Sequence, residues 1–121
     1  MARFRLARHA QADVSRILAA SAENWGVAAR GRYAELLIRA IRHVAAEPEG
    51  RVTRMRTELA PGLRSFHVRH VREAERGAGV RRPMHVIYYR VIQPGLVEIV
   101  RVMHERMEPS RHLGAGREDE E

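Results

Sequence analysis

A short run of charged and titratable side chains ends the most strand-like part of this sequence. His104, Glu105 and Arg106 follow one another directly. A histidine or a carboxylate can move a proton, and guanidinium groups can stabilise the charge on a reacting phosphate, so cleavage of a phosphodiester needs both kinds of group. The residues in this region that could supply them are His104, Glu105, Arg101, Arg106 and Arg90.

Other catalytic or metal-binding patterns are weak. His67 and His70 have a spacing that suits a metal, but positions three apart on a strand point to opposite faces, so one ion could not take both. Ser65 and Ser110 lack the Gly-x-Ser-x-Gly turn of a serine nucleophile, and the chain has no cysteine. We therefore expect no metal and no cofactor.

Two paired strands are predicted to position the charged run. Residues 85–91 and 97–104 are rich in β-branched and aromatic side chains, and Gln93-Pro94-Gly95 between them is a turn sequence. Alternation along the second strand places Arg101 on the opposite face from His104. One face of the pair must be buried, and the predicted packing residues are Val86, Ile87, Tyr88, Ile99, Val100 and Val102.

The first half of the chain predicts a short strand and then a helical hairpin. Phe4 and Leu6 alternate with polar residues, and from Ala10 the apolar residues take a helical spacing. Asn24-Trp25-Gly26 interrupts this pattern, and a second helix follows until Pro48 and Gly50 end it. The apolar stripe of the second helix is Ala34, Leu37, Ile41 and Val44.

The remaining segments complete a single predicted domain. Residues 49–62 are polar, Leu63 to His70 is a second strand, and residues 71–83 form a charged, glycine-containing loop. We predict an α+β domain over residues 1–113, in which the helical hairpin packs on a mainly antiparallel, strongly twisted sheet. Residues 114–121 are predicted to be a disordered acidic tail.

The composition restricts the partners. The chain has 121 residues and a net charge of +7, and all 22 basic residues are arginine. An arginine-rich surface suits acidic proteins and nucleic acid alike. No apolar run approaches the roughly 20 residues of a membrane helix, and the N-terminus lacks a signal-peptide segment, so we expect a cytoplasmic protein without membrane contact.

Three segments in this order, residues 62–66, 85–91 and 97–107, resemble the ParE toxins of the RelE/ParE superfamily. The resemblance covers roughly residues 3–113 and implies the RelE/ParE-like fold. It also implies a toxin of a bacterial type II toxin–antitoxin system, held inactive in a hetero-oligomer by a ParD-like antitoxin. The free toxin would inhibit DNA gyrase and arrest growth, with sequence-specific DNA binding only through the antitoxin.

The resemblance leaves an enzymatic alternative, because RelE-type relatives are ribosome-dependent endoribonucleases that cut mRNA. Those members carry a tyrosine in the C-terminal segment, with several Lys or Arg around it, whereas this chain has no tyrosine after Tyr89 and no lysine. The pattern of residues 104–109 resembles the ParE branch, so we expect no catalytic residue. A basic interaction domain without toxicity is a third interpretation.

Two groups of contact residues are predicted. The antitoxin is expected on the outer surface of the helical hairpin, where an apolar patch rimmed by arginine would hold an acidic amphipathic segment. Its predicted residues are Leu36, Ile38, Arg39 and Arg42. The predicted target-binding residues are Arg64, Arg90, Arg101, His104, Glu105 and Arg106.

Overall fold

The computed structural model describes residues 2–74 and 83–113. Within these ranges the elements are β1 (Arg3–Leu6), α1 (Arg8–Trp25), α2 (Val27–Ala46), β2 (Arg54–Met55), β3 (Arg64–His67), α3 (Arg69–Ala74), β4 (His85–Gln93), β5 (Leu96–His104) and the 3-10 turn Pro109–Arg111. The predicted α+β class and helical hairpin are confirmed. The predicted tail, residues 114–121, lies outside the described residues.

The strands form one mixed sheet in the order β1-β5-β4-β3-β2. β1 is parallel to β5 and the other pairs are antiparallel, which confirms the mainly antiparallel prediction. The predicted hairpin is β4 and β5, and Gly95 in its turn has a φ of 82°, a conformation that glycine adopts without strain. β1 pairs with β5 only as far as Leu6 and Ile99, so β1 does not cover the end of β5 near His104.

Each face of the sheet carries its own apolar cluster. Tyr88 and Tyr89 are both buried and, as neighbours on a strand, point to opposite faces. Tyr89 belongs to the main core, which the sheet forms with α1 and α2, and Phe66 and Leu36 are among its wholly buried side chains. The smaller cluster on the other face contains Leu63, Tyr88, Met103 and Leu113. Leu113 therefore ties the segment after β5 to this second face.

Opposite Tyr88 and Tyr89, β5 has one extra residue relative to β4. Tyr88 is opposite Arg101 and Tyr89 is opposite Ile99, so Val100 forms a bulge in the pairing. The register beyond the bulge places Arg101 beside Tyr88 and His104 beside His85. Arg101 and His104 therefore start from opposite faces of the sheet, as the alternation predicts.

The predicted second strand is too long, because β3 ends at His67 rather than at His70. Val68 and Val71 are both buried and the Val71 amide donates to the Val68 carbonyl, which is the geometry of a helical turn. The first residues of the predicted loop 71–83 accordingly lie in α3, and residues 75–82 lie outside the described part of the chain. The predicted polar segment 49–62 also contains the two-residue strand β2.

The predicted exposure of Leu36 is wrong. Leu36 is 0% exposed and packs in the main core, whereas Ile38 is 40% exposed. Leu36 lies one turn before Ala40 and two turns before Val44, so the buried stripe of α2 is wider than the predicted one. No helix in the described ranges combines the length and apolar content that crossing a membrane requires.

Candidate functional site

The face of the sheet opposite α1 and α2 forms an open cleft of about 560 Å³. Ser65 and His67 on β3 pair with Tyr88 and Val86 on β4, and these alternate positions point into the cleft. β2, α3 and the segment after β5 surround them. The charged side chains that these surrounding segments add to the lining are Arg54, Arg56, Arg69, Glu105 and Arg106.

The cleft carries an excess of positive charge. Arg56 is already engaged, because its Nε donates to Glu58 at 2.7 Å and its guanidinium lies 5.8 Å from the centre of the Tyr88 ring. Among the side chains that the structure describes, Arg54, Arg69 and Arg106 form no ion pair. These three guanidinium groups are therefore available to an anionic ligand.

His67 and Glu105 form the acid–base pair of the cleft. His67 Nε2 lies 2.7 Å from Glu105 Oε1, and His67 Nδ1 accepts from the backbone N–H of Arg69 at 3.1 Å. Since Nδ1 is an acceptor, Nε2 carries the proton that is donated to Glu105. This hydrogen bond holds the pKa of Glu105 below its usual range. Both nitrogens of His67 are therefore occupied, and neither is free to take a proton from a substrate.

His104 directly precedes the cleft residues Glu105 and Arg106, but its side chain belongs to a separate network with His85 and Tyr33. Its Nδ1 accepts from the Arg106 backbone N–H at 3.1 Å, and its ring packs edge-on against His85 with centroids 5.6 Å apart. The Tyr33 hydroxyl lies 2.6 Å from His85 Nδ1 and accepts from the Met84 backbone N–H at 3.3 Å. This network links α2 to the open end of the β4–β5 hairpin.

Burial sets the protonation of this network. Desolvation, followed by repulsion from His104 and His67, lowers the pKa of His85 to about 4. Desolvation also raises the pKa of Tyr33 to about 12. Near neutral pH His85 is therefore neutral and Tyr33 un-ionised, so the Tyr33 hydroxyl, which already accepts from Met84, keeps a proton that it can donate to His85 Nδ1.

The structure brings only two of the predicted target-binding residues, Glu105 and Arg106, into the cleft. Arg64 donates to the Thr53 hydroxyl at 2.8 Å, and its Nε is buried without a hydrogen-bond partner in the described structure. Arg90 bonds Glu98 near the turn end of the hairpin, at 3.0 Å from its Nη2. His104 is not part of the cleft lining, and its ring packs against His85.

Arg101 is largely buried and makes a structural contact with Asp13. Its Nε and Nη2 donate to Asp13 at 2.8 and 2.9 Å, and its side chain is only 13% exposed. Asp13 also accepts from the Val102 backbone N–H at 2.9 Å and from Arg16 at 2.7 Å. Asp13 therefore fixes α1 to the part of β5 that β1 leaves uncovered, a role that the sequence analysis missed.

Three further arginines of the cleft were not predicted from the sequence: Arg54, Arg56 and Arg69. Arg54 and Arg56 alternate with Met55, which is a strand-like pattern, but it lies between Gly50 and Pro61 in the segment 49–62, for which the sequence predicts only polar character. β2 has only two residues, too few for a periodic signal. Arg69 was placed on the strand that in fact ends at His67.

The outer surface of the α1–α2 hairpin contains three of the four predicted antitoxin residues. Ile38 and Arg42 are exposed, and Arg39 donates to Glu35 at 3.2 Å. Leu36 is excluded by its burial. Two further apolar side chains stand out at the tip of the hairpin, where Trp25 is 77% and Val27 is 79% exposed on either side of Gly26.

His67 and His70 both line the cleft, but their rings make different contacts. His67 bonds Glu105, whereas the ring of His70 lies against Phe66 with centroids 5.7 Å apart. In the described part of the chain no three His, Asp or Glu side chains are grouped closely enough to hold a metal ion.

Comparison with solved structures identifies the class of fold. The chain resembles a chain of the "Chromosomal ParDE TA system from P. aeruginosa" with a TM-score of 0.64. The match covers 86% of this chain and 96% of the other at 15% sequence identity, so it establishes the fold alone.

Sequence comparison identifies the family. The family model described as "ParE toxin of type II toxin-antitoxin system, parDE" matches residues 4–109. Toxin ParE1 of Mycobacterium tuberculosis is 33% identical over 111 residues, covering 92% of this chain and 97% of that protein. Toxin ParE1 of Caulobacter vibrioides is 34% identical over 115 residues, with the same two coverages. The chain belongs to the ParE toxin family of type II toxin–antitoxin systems.

Proposed function

We propose that this chain acts in the cytoplasm as a non-catalytic toxin that inhibits DNA gyrase and thereby arrests growth. The observation that carries the proposal is the hydrogen bonding of His67. A nuclease needs a group that is free to accept a proton from the attacking hydroxyl. The unprotonated nitrogen of His67 already accepts from the Arg69 amide, and its other nitrogen donates to Glu105. His67 thus has no free nitrogen to serve as a base beside the cations of the cleft.

The alternative function is ribosome-dependent cleavage of mRNA. The composition of the same cleft supports it. Arg54, Arg69 and Arg106 are suited to a phosphate, and the pair of His67 and Glu105 stands among them. Cleavage would require that pair to open. The absence of a tyrosine after Tyr89 in the sequence favours the gyrase inhibitor.

A pair of assays on the purified protein distinguishes the two functions. We expect inhibition of gyrase supercoiling and intact mRNA in a ribosome-dependent translation reaction. Codon-specific mRNA cleavage with unaffected supercoiling would replace the gyrase proposal by the nuclease. A folded protein that is inert in both assays would indicate the third interpretation, a basic interaction domain without toxicity.

The antitoxin partner is proposed to be ParD-like and to form a hetero-oligomer through the α1–α2 hairpin. Ile38 and the exposed Trp25 and Val27 supply apolar contacts, and Arg39 and Arg42 suit an acidic segment. A tryptophan at such a position is a frequent source of binding energy. The matched P. aeruginosa structure is titled as a ParDE system, which supports a partner of this kind.

Single substitutions on this surface test the antitoxin proposal. Ile38→Asp and Trp25→Ala should each weaken antitoxin capture while the thermal midpoint stays near that of the parent. Val91→Asp is the control, because Val91 is similarly exposed, at 42%, but lies on β4. Equal loss of capture in all three variants would place the antitoxin elsewhere.

A further inference from the structure

The arginines of the cleft come from segments that are far apart along the chain. Arg54, Arg69 and Arg106 come from β2, from α3 and from the segment after β5, so three separate elements contribute cations to one open cleft. No single loop gathers them around one point. A ligand that carries several charges along its length could contact all three at once.

The chemistry of the lining favours phosphates. A planar guanidinium forms two parallel hydrogen bonds with a phosphate and is desolvated more easily than an ammonium group. The volume of about 560 Å³ lies within the range of about 300 to 1,000 Å³ that ligand clefts occupy. Val86 and Tyr88 give the floor an apolar part on which the non-ionic portion of a chain can rest.

We propose that this cleft binds the phosphodiester backbone of DNA directly and without sequence preference. Contacts to phosphates position a protein but do not read bases, so the proposal is compatible with sequence-specific DNA binding only through the antitoxin. It deepens the proposed function and rests on it in one respect: bound at gyrase, the toxin would also hold the DNA strand at the enzyme.

Salt dependence of binding measures these contacts. The probe is a fluorescein-labelled single-stranded DNA oligonucleotide, followed by anisotropy in increasing sodium chloride. Three phosphate contacts predict a plot of log affinity against log salt with a slope of about −2. The triple variant R54Q/R69Q/R106Q should bind about tenfold or more weakly at low salt and lose most of that slope. A slope near zero in the parent protein would overturn the proposal.

The control is R8Q/R30Q/R32Q, which removes the same charge from three exposed arginines of α1 and α2. It should retain most of the affinity, and circular dichroism should show both triple variants folded. Equal weakening by the control would mean that binding reflects net charge alone and would overturn the site. Displacement of the DNA by polyglutamate of equal charge would also overturn the proposal, because it would show that the cleft binds acidic protein.

Two further measurements compare RNA with DNA as the ligand and separate the cleft proposal from the proposed inhibition of gyrase. RNA of the same sequence, bound equally and left intact, supports backbone recognition, whereas its cleavage would overturn the proposal in favour of the nuclease. DNA binding without gyrase inhibition would retain the site and reject the proposed function. Gyrase inhibition that survives in R54Q/R69Q/R106Q would retain the proposed function and reject the role of the cleft in it.

Discussion

Two arginines, Arg101 within β5 and Arg106 just after it, have opposite environments. Towards α1, Arg101 is largely buried and gives two hydrogen bonds to Asp13, which is itself only 3% exposed. Beyond the end of the strand, Arg106 is exposed at the cleft and forms no ion pair within the described structure. A third case lies near the turn, where Arg90 and Arg5 share the carboxylate of Glu98.

This difference shows that residue type alone does not mark a binding residue. An arginine with a buried carboxylate partner is part of the scaffold, because moving it would leave a charge unpaired in a poorly solvated place. An arginine that is itself more than half exposed, such as Arg5 or Arg90, contributes little to stability through its ion pair. Only an arginine without a partner can offer its full hydrogen-bonding capacity to another molecule. Within the described structure, Arg54, Arg69 and Arg106 of the cleft are of this last type.

The largest expected effect comes from reversing the charge of Arg106. Arg106→Glu should abolish growth arrest on induction, because it places a carboxylate among the cations of the cleft while leaving the antitoxin surface intact. Arg90→Glu is the matched control, since Arg90 lies outside the cleft, and it should remain toxic. The measurement is growth after induction, with antitoxin capture and circular dichroism on each variant. Toxic Arg106→Glu beside inactive Arg90→Glu would move the active region to the turn of the hairpin.

His104→Gln should reduce toxicity less than Arg106→Glu. Its Nδ1 serves as a hydrogen-bond acceptor for the Arg106 amide, a role that a glutamine carbonyl can take over. A dose series of inducer compares the two variants. A folded His104→Gln protein without toxicity, beside a toxic Arg106→Glu protein, would indicate proton transfer and favour the nuclease.

Removing Asp13 tests the scaffold side of the comparison. Asp13→Ala should lower the free energy of unfolding by about 3–5 kcal/mol, because Arg101 then remains buried without its carboxylate. Glu98→Ala should cost about 1 kcal/mol or less, since Arg5 and Arg90 are more than half exposed. Urea denaturation measures both. Similar losses would show that burial does not separate the two sites.

Acid should destabilise the protein through His85. The pKa of His85 is about 4 in the folded chain against 6.5 for a solvated histidine, so the unfolded chain binds the proton first. The stability that comes from neutral His85 is complete above pH 6.5 and is lost as the pH falls towards 4, by up to about 3 kcal/mol. His85→Gln should flatten this part of the pH profile. An unchanged slope would assign the acid sensitivity to other groups.

The smallest effect concerns the α1–α2 hairpin. Gly31 lies inside α2, and a Cβ added there meets no atom within 4 Å. Gly31→Ala should therefore raise the free energy of unfolding by about 1 kcal/mol. Gly26→Ala should lower it, because Gly26 has a φ of 97° that an alanine rarely adopts. Thermal unfolding of both variants checks the opposite signs.

The periodic elements could be predicted, and the short ones could not. β4, β5, α1 and α2 are long enough to show alternation or helical spacing, and Gly26 and Gly95 mark the turns that join them. β2 and α3 have two and six residues, which is too short for a period to appear. They carry Arg54 and Arg69, so the cleft remained incomplete at the level of sequence.

Local pattern determined the α+β class, the hairpins, the positive charge and the resemblance to ParE toxins, since each depends on neighbouring residues or on their order. The tertiary structure decided the state of individual side chains. Leu36 lies in the core because α2 buries a wider apolar stripe than the helical spacing of its apolar residues predicts. Arg101 was taken by Asp13, which lies 88 positions away along the chain. Which arginine stays available depends on such distant partners, and these meet only when the chain is folded.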